Sequence, residues 1–312
     1  MNPAFSVVFL TTLLGAGQGL FLALFVVEGA VAAGLLSAPA SGFYSCGSAT
    51  AVILLGAGLL ASFFHLGHPE RAWRAAAMWR TSWLSREVIV LPVFMVLVTV
   101  YGWMHWLGRP GTLTLGLLAA AVCVLLFVCT GMIYACIKFL QEWATPLTLV
   151  NFTLLGCASG VMLATALAAV RGEPNVAVLG QWAMLLTLAG MATRIASLRR
   201  NAALKPKSTL QSAIGIHHPK VVQKAQGFMG GSFNTREFFH GRGPGTLRMV
   251  KWLFIAAAFV LPVVLVKSGL GAGSSALLVL AFAMQFCGLV AERWFFFAQA
   301  NHPQNLYYQT VS

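Results

Sequence analysis

All seven acidic residues of the 312-residue chain are glutamates, and one of them stands where a carboxylate is costly. Glu87 follows a basic run ending in Arg86 and directly precedes an apolar stretch long enough to cross a bilayer. Just upstream, an equally apolar stretch ends in His65. A carboxylate and an imidazole at adjoining helix ends can hydrogen-bond a small redox molecule and exchange its protons. Further polar groups fall at the same depth. Arg194 lies about one turn inside the end of a later apolar stretch, Glu292 and Arg293 close the last one, and Gln285 lies two turns deeper. Ionisable groups inside membrane helices are usually paired, or line a site or a pathway. Quinone chemistry fits this gathering, because reducing a quinone takes up protons as well as electrons, and its carbonyl oxygens need donors that water can recharge. Imidazole suits the task with an ordinary pKa near neutrality. Burial and a helix N-terminus act on Glu87 in opposite senses, and the sequence leaves their balance open. Each residue also has a structural reading: His65 as a headgroup anchor, and Glu292 with Arg293 as an ion pair. Glu28, far along the first stretch, reads first as an interfacial residue and second as part of a proton path.

The elements that must position these groups are membrane helices. Hydrophobic residues make up 59% of the chain and charged ones 9%, with a mean hydropathy of +0.82, which excludes an ordinary soluble domain. Eight apolar stretches of span length fall at about 6–28, 46–65, 87–107, 113–139, 147–170, 176–198, 250–268 and 274–297. They predict an all-α integral membrane protein, a bundle of eight transmembrane helices forming one membrane domain over 1–312. Alternating strand-like patterning is absent, which argues against a barrel. The N-terminus lacks a basic region and a convincing small-residue cleavage site, so the first helix is expected to be retained. The six cysteines show no CxxC or Cys/His spacing, so no metal site is expected in this chain and the thiols read as small hydrophobic fillers.

A net charge of +13 suggests nucleic acid in a soluble protein, but here its placement points elsewhere. Arg71, Arg74, Arg80, Lys138 and the crowded basic loop at 199–249 share one face, whereas Arg109, Arg171 and Lys267 are spread over the other. The positive-inside rule puts the crowded face and both termini in the cytoplasm, so a multi-pass protein of a bacterial inner membrane is expected. The long loop mixes its cations with Phe228, Phe233, Phe238 and Phe239. That mixture reads as a docking surface for an acidic protein, with anchoring on anionic lipid headgroups as the alternative. No nucleic-acid motif accompanies it. Residues 69–86 carry Trp73, Trp79 and Trp83 among arginines and fit a segment lying in the headgroup region. The histidines offer no facing pair within the bilayer, so haem is not expected, and electrons would have to arrive from another subunit near the cytoplasmic face.

These stretches also resemble a known family. His65-Leu66-Gly67-His68-Pro69-Glu70-Arg71-Ala72, Leu84-Ser85-Arg86-Glu87, Glu142-Trp143-Ala144-Thr145-Pro146 and Glu292-Arg293-Trp294-Phe295-Phe296-Phe297 are similar to the membrane-anchor subunits of dimethyl sulfoxide reductase-type molybdoenzymes. The likeness runs over essentially the whole chain. It implies a haem-free anchor that binds an iron–sulfur electron-transfer subunit on its cytoplasmic face, which in turn carries a molybdopterin catalytic subunit. Molybdenum and iron–sulfur clusters would belong to those partners alone. The family's quinone-site residues map onto His65, Gly67, Arg71 and Glu87, with Arg194, Gln285, Glu292 and Arg293 as possible surrounding support. The 79–87 stretch, the segment 226–237 and the tail Asn305-Leu306-Tyr307-Tyr308 look most like anchors of cytoplasmic sulfite-oxidising complexes. The expectation is therefore a subunit, itself without substrate chemistry, that passes electrons from sulfite oxidation to ubiquinone or menaquinone. A menaquinol-oxidising anchor of an S- or N-oxide reductase is the alternative. A secondary transporter or a purely structural anchor is the alternative of another class.

Overall fold

The computed structural model describes residues 1–222, 224 and 238–306. The segment 225–237 and the tyrosines at 307 and 308, which carry part of the resemblance, lie outside the described residues. Eight helices are long and apolar enough to span a membrane: α1 Phe5–Ala32, α2 Ser41–Phe63, α3 Trp83–Trp106, α4 Thr112–Ala135, α5 Pro146–Arg171, α6 Val176–Ala202, α8 Pro244–Ala272 and α9 Ser275–Ala298. The short α7, Leu210–Ile214, lies between α6 and α8, and a 3₁₀ turn, Pro69–Ala76, joins α2 to α3. The described residues contain no strand. At about 1.5 Å per residue, even the shortest span, of 23 residues, exceeds a hydrocarbon core of about 30 Å.

Local signals set the boundaries that matter for the site. Helix α2 begins at Ser41 rather than 46 and ends at Phe63, so His65 falls just beyond the helix and not within its last turn. Ser82 caps α3 by accepting the Ser85 N–H, which starts that helix at Trp83 and places Glu87 a full turn inside it. Thr145 caps α5 in the same way, with Pro146 at the first helical position.

Helices α1 and α5 form the centre. They pass so closely at Gly19, Gly156 and Gly160 that a Cβ on Gly19 or Gly160 would overlap the opposite backbone. Close approach of this kind drives packing where lipid tails remove any hydrophobic incentive. Around this pair, α1–α4 close into one half of the bundle, with Phe21 at its heart, edge-on to Phe94 and Tyr101 at 5.4 Å each. The other half is α5 with α6, α8 and α9.

Helix α8 contains a π-helical turn at Ala256–Val260. Pro262 has no N–H and cannot serve the Ala258 carbonyl one turn back. Gln285 of α9 supplies that donor, its Nε2 lying 3.3 Å from Ala258 O and 2.8 Å from Thr187 Oγ1 of α6. One amide side chain thereby ties three helices at the point where one of them is irregular.

Candidate functional site

Glu87 is the most enclosed of the four residues expected at the site, with only 7% of its surface exposed. The Thr130 hydroxyl on α4 donates to its Oε1 at 2.5 Å. No described hydrogen bond or ion pair reaches Oε2, and that atom is not among the sealed, unpartnered side-chain atoms of the interior. One carboxylate oxygen is thus committed, and the other has no described partner and is not fully sealed.

The other three expected residues sit on an exposed rim. His65 is exposed, and among the described residues no hydrogen bond joins it to Glu87. Partial burial draws its pKa below the ordinary 6.5, which leaves the imidazole neutral at neutral pH. A side chain at Gly67 would meet nothing within 4 Å. Arg71 is exposed and pairs with Glu70 at 3.6 Å, while Glu70 also holds His68 Nδ1 at 3.0 Å. Phe64, the residue before His65, helps line an open apolar cleft of about 430 Å³ between α1 and α2, with Ser6, Phe9, Leu13, Ala57, Leu60 and Ala61.

The expected supporting residues assemble as a separate cluster. Glu292 meets Arg194 across helices at 2.6 Å and its sequence neighbour Arg293 at 3.4 Å. The Arg293 guanidinium lies on the Phe152 ring at 3.7 Å. All three charged side chains are buried, two cations to one anion. Tyr134, one turn beyond Thr130, stands within electrostatic reach of both Glu87 and Arg293. Gln285 is occupied by the helix tie described above and does not approach Glu87 through any described bond.

A third polar group closes the opposite end of the bundle. Glu28 accepts hydrogen bonds from Tyr101 at 2.7 Å and Thr112 at 2.5 Å, and lies 3.4 Å from His105 Nε2. Tyr44 stacks on the His105 ring at 4.3 Å. Glu28 is therefore a knot between α1, α3 and α4 rather than a simple interfacial residue. Neither Thr130 nor this knot was visible in spacing: their partners come together over separations of 43 to 84 residues, and a threonine in an apolar helix carries no signal of its own.

Eight packed spans with exposed aromatic and basic rims, and polar side chains gathered at their ends, define a multi-pass helical membrane protein. The chain belongs to the DMSO reductase anchor subunit (DmsC) family, which it matches over residues 1–299. It is 58% identical to a sulfite dehydrogenase subunit of Allochromatium vinosum, over 325 aligned positions that cover all of both chains.

Proposed function

We propose that this protein carries electrons from an iron–sulfur partner to membrane quinone, in a complex whose molybdenum-containing subunit oxidises sulfite in the cytoplasm. The observation that carries the reading is Glu87: a carboxylate buried among membrane helices, held through one oxygen by a neutral hydroxyl and without a described partner at the other. A carboxylate without a cationic partner inside a bilayer is expensive, and such groups mark proton-handling sites. The likeness to a sulfite dehydrogenase subunit supports sulfite as the electron source in preference to the S-oxide reductase direction.

The residues present fit a quinone. Glu87 Oε2 and the His65 ring supply polar contacts at one end of the bundle, and the cleft between α1 and α2 offers an apolar bed, lined in part by Phe64, for an isoprenoid tail. A bound quinone would supply the two-electron acceptor chemistry that no side chain here provides. Glu87 handles a proton at Oε2, while neutral His65 can accept one from water at the rim and pass it inward. Arg71 and Gly67 lie on the exposed segment that follows His65 in the chain. The crowded basic face bearing this segment is the one we assign to the cytoplasm, along with both termini and the docking surface for the iron–sulfur subunit.

The test uses the purified complex. Glu87→Gln and His65→Ala should each lower sulfite-to-quinone turnover at least tenfold, while sulfite oxidation with an artificial acceptor continues at the native rate per assembled complex. Native quinone turnover in both variants would remove the site, and artificial-acceptor activity that fell in parallel would point to assembly instead.

A further inference from the structure

We propose that Thr130 is the positioning residue of Glu87, fixing the carboxylate so that Oε2 alone is presented for proton exchange. This rests on the reading of Glu87 as the quinone-side proton group.

Several threonines elsewhere in this bundle bond within their own helix. A hydroxyl inside an apolar helix normally satisfies itself on the carbonyl one turn back. Thr11, Thr12, Thr50, Thr99 and Thr165 all do so, at 2.8–2.9 Å. Thr130 does not: its described hydrogen bond crosses from α4 to α3 and ends on Glu87 Oε1. Thr130 is itself only 4% exposed, so water is not an alternative partner, and the geometry is a choice of carboxylate over backbone.

The consequence for the carboxylate follows from its lone pairs and donors. With Oε1 engaged, rotation about the terminal torsion, otherwise broad for a glutamate, is stopped. Oε2 is then left as the oxygen without a described partner, and it is not among the fully sealed polar atoms of the interior. Because the hydroxyl can donate whether or not Oε2 is protonated, the same contact serves both states of Glu87. With a quinone bound, Oε2 would give one of the two protons that its reduction takes up and be recharged from water, the second proton would come from water by way of His65, and Thr130 would keep its own. The two electrons come from the iron–sulfur partner of the proposed function. A group held in one orientation before reaction contributes through proximity and alignment, and small misplacements cost on the order of a hundredfold in rate.

The experiment compares Thr130→Val, which keeps the shape and deletes the hydroxyl, with Thr130→Ser, which keeps the hydroxyl and deletes the methyl. Both are measured in the assembled complex with sulfite and a soluble short-tail quinone, alongside Glu87→Gln. Thr130→Val should lower kcat for quinone at least tenfold with KM changed less than about threefold, Thr130→Ser should stay within about threefold of native, and artificial-acceptor turnover should be native in both. If Thr130→Val does not assemble, Thr130→Ala takes its place under the same criteria. Adding Thr130→Val to Glu87→Gln should cost far less than Thr130→Val alone, because a positioning residue has nothing left to position. Native quinone turnover in Thr130→Val beside a failed Glu87→Gln would overturn this inference and leave the site standing. Equal losses in the Ser and Val variants would also overturn it, by assigning Thr130 to packing. Native turnover in Glu87→Gln would instead remove the site on which the inference rests.

Discussion

At the scale of single residues, the buried charges divide by what compensates them. Glu28 has two hydroxyl donors and an imidazole, Glu87 has one hydroxyl, and Glu292 has two guanidinium groups. Removing one member of a buried ion pair costs about 3–5 kcal/mol, because its partner stays behind uncompensated in a medium that cannot solvate it. Glu292→Gln leaves two buried guanidinium groups without an anion, so it should reduce the yield of monodisperse, detergent-solubilised protein and lower its apparent Tm by several degrees. The same change at Glu87 strands no cation, and assembly should survive it. A Glu292→Gln protein as heat-resistant as the native one would show that the cluster is not what holds α6 to α9.

At the scale of elements, the irregular turn of α8 explains a residue whose place near the site is structural. Gln285 bonds Thr187 and the carbonyl that Pro262 cannot serve. Gln285→Leu should destabilise the protein by about 1–3 kcal/mol through unsatisfied buried acceptors. Quinone turnover per assembled complex should stay within about twofold of native. A large loss of quinone turnover at native stability would instead return Gln285 to the site. This residue also shows where sequence reading stops. The existence of the spans was legible, because some twenty apolar residues in a row have few other uses. Glu87 stood out as a carboxylate at the mouth of such a run. Partner choice did not stand out. Adjacent residues on a helix do not face each other, so Glu292 is held most closely not by its neighbour Arg293 but by Arg194, on another helix. His65 looked like the mate of Glu87 because its apolar run ends there, yet α2 stops at Phe63, and the ring is left on the rim.

At the scale of the whole molecule, the proposed orientation and docking face rest on the placement of charge. The described parts of the connection between α6 and α8 include the exposed Lys207 and Lys220, and the opposite face has no basic segment of comparable length. Trypsin added to inside-out vesicles holding the anchor alone should therefore cut at these lysines. Right-side-out vesicles should resist, and the assembled complex should be protected in both preparations. Cleavage from the outer side would reverse the orientation, and equal cleavage with and without partners would remove the loop from the interface.

The close passage of α1 and α5 has a consequence for how the protein is made. Gly19 leaves the ribosome early, and its mate Gly160 is synthesised only about 140 residues later, roughly 10–30 s at ordinary rates of elongation. During that interval the first span lies in the bilayer with a stripe of bare backbone that no side chain shields, and its neighbours on hand, α2 to α4, pack on other faces. The helix that ends at the centre is thus inserted well before the neighbour that completes its packing. A chain that stalls before α5 leaves that stripe uncovered, open to the small-residue face of some other membrane helix or to the quality-control proteases that recognise unpaired spans.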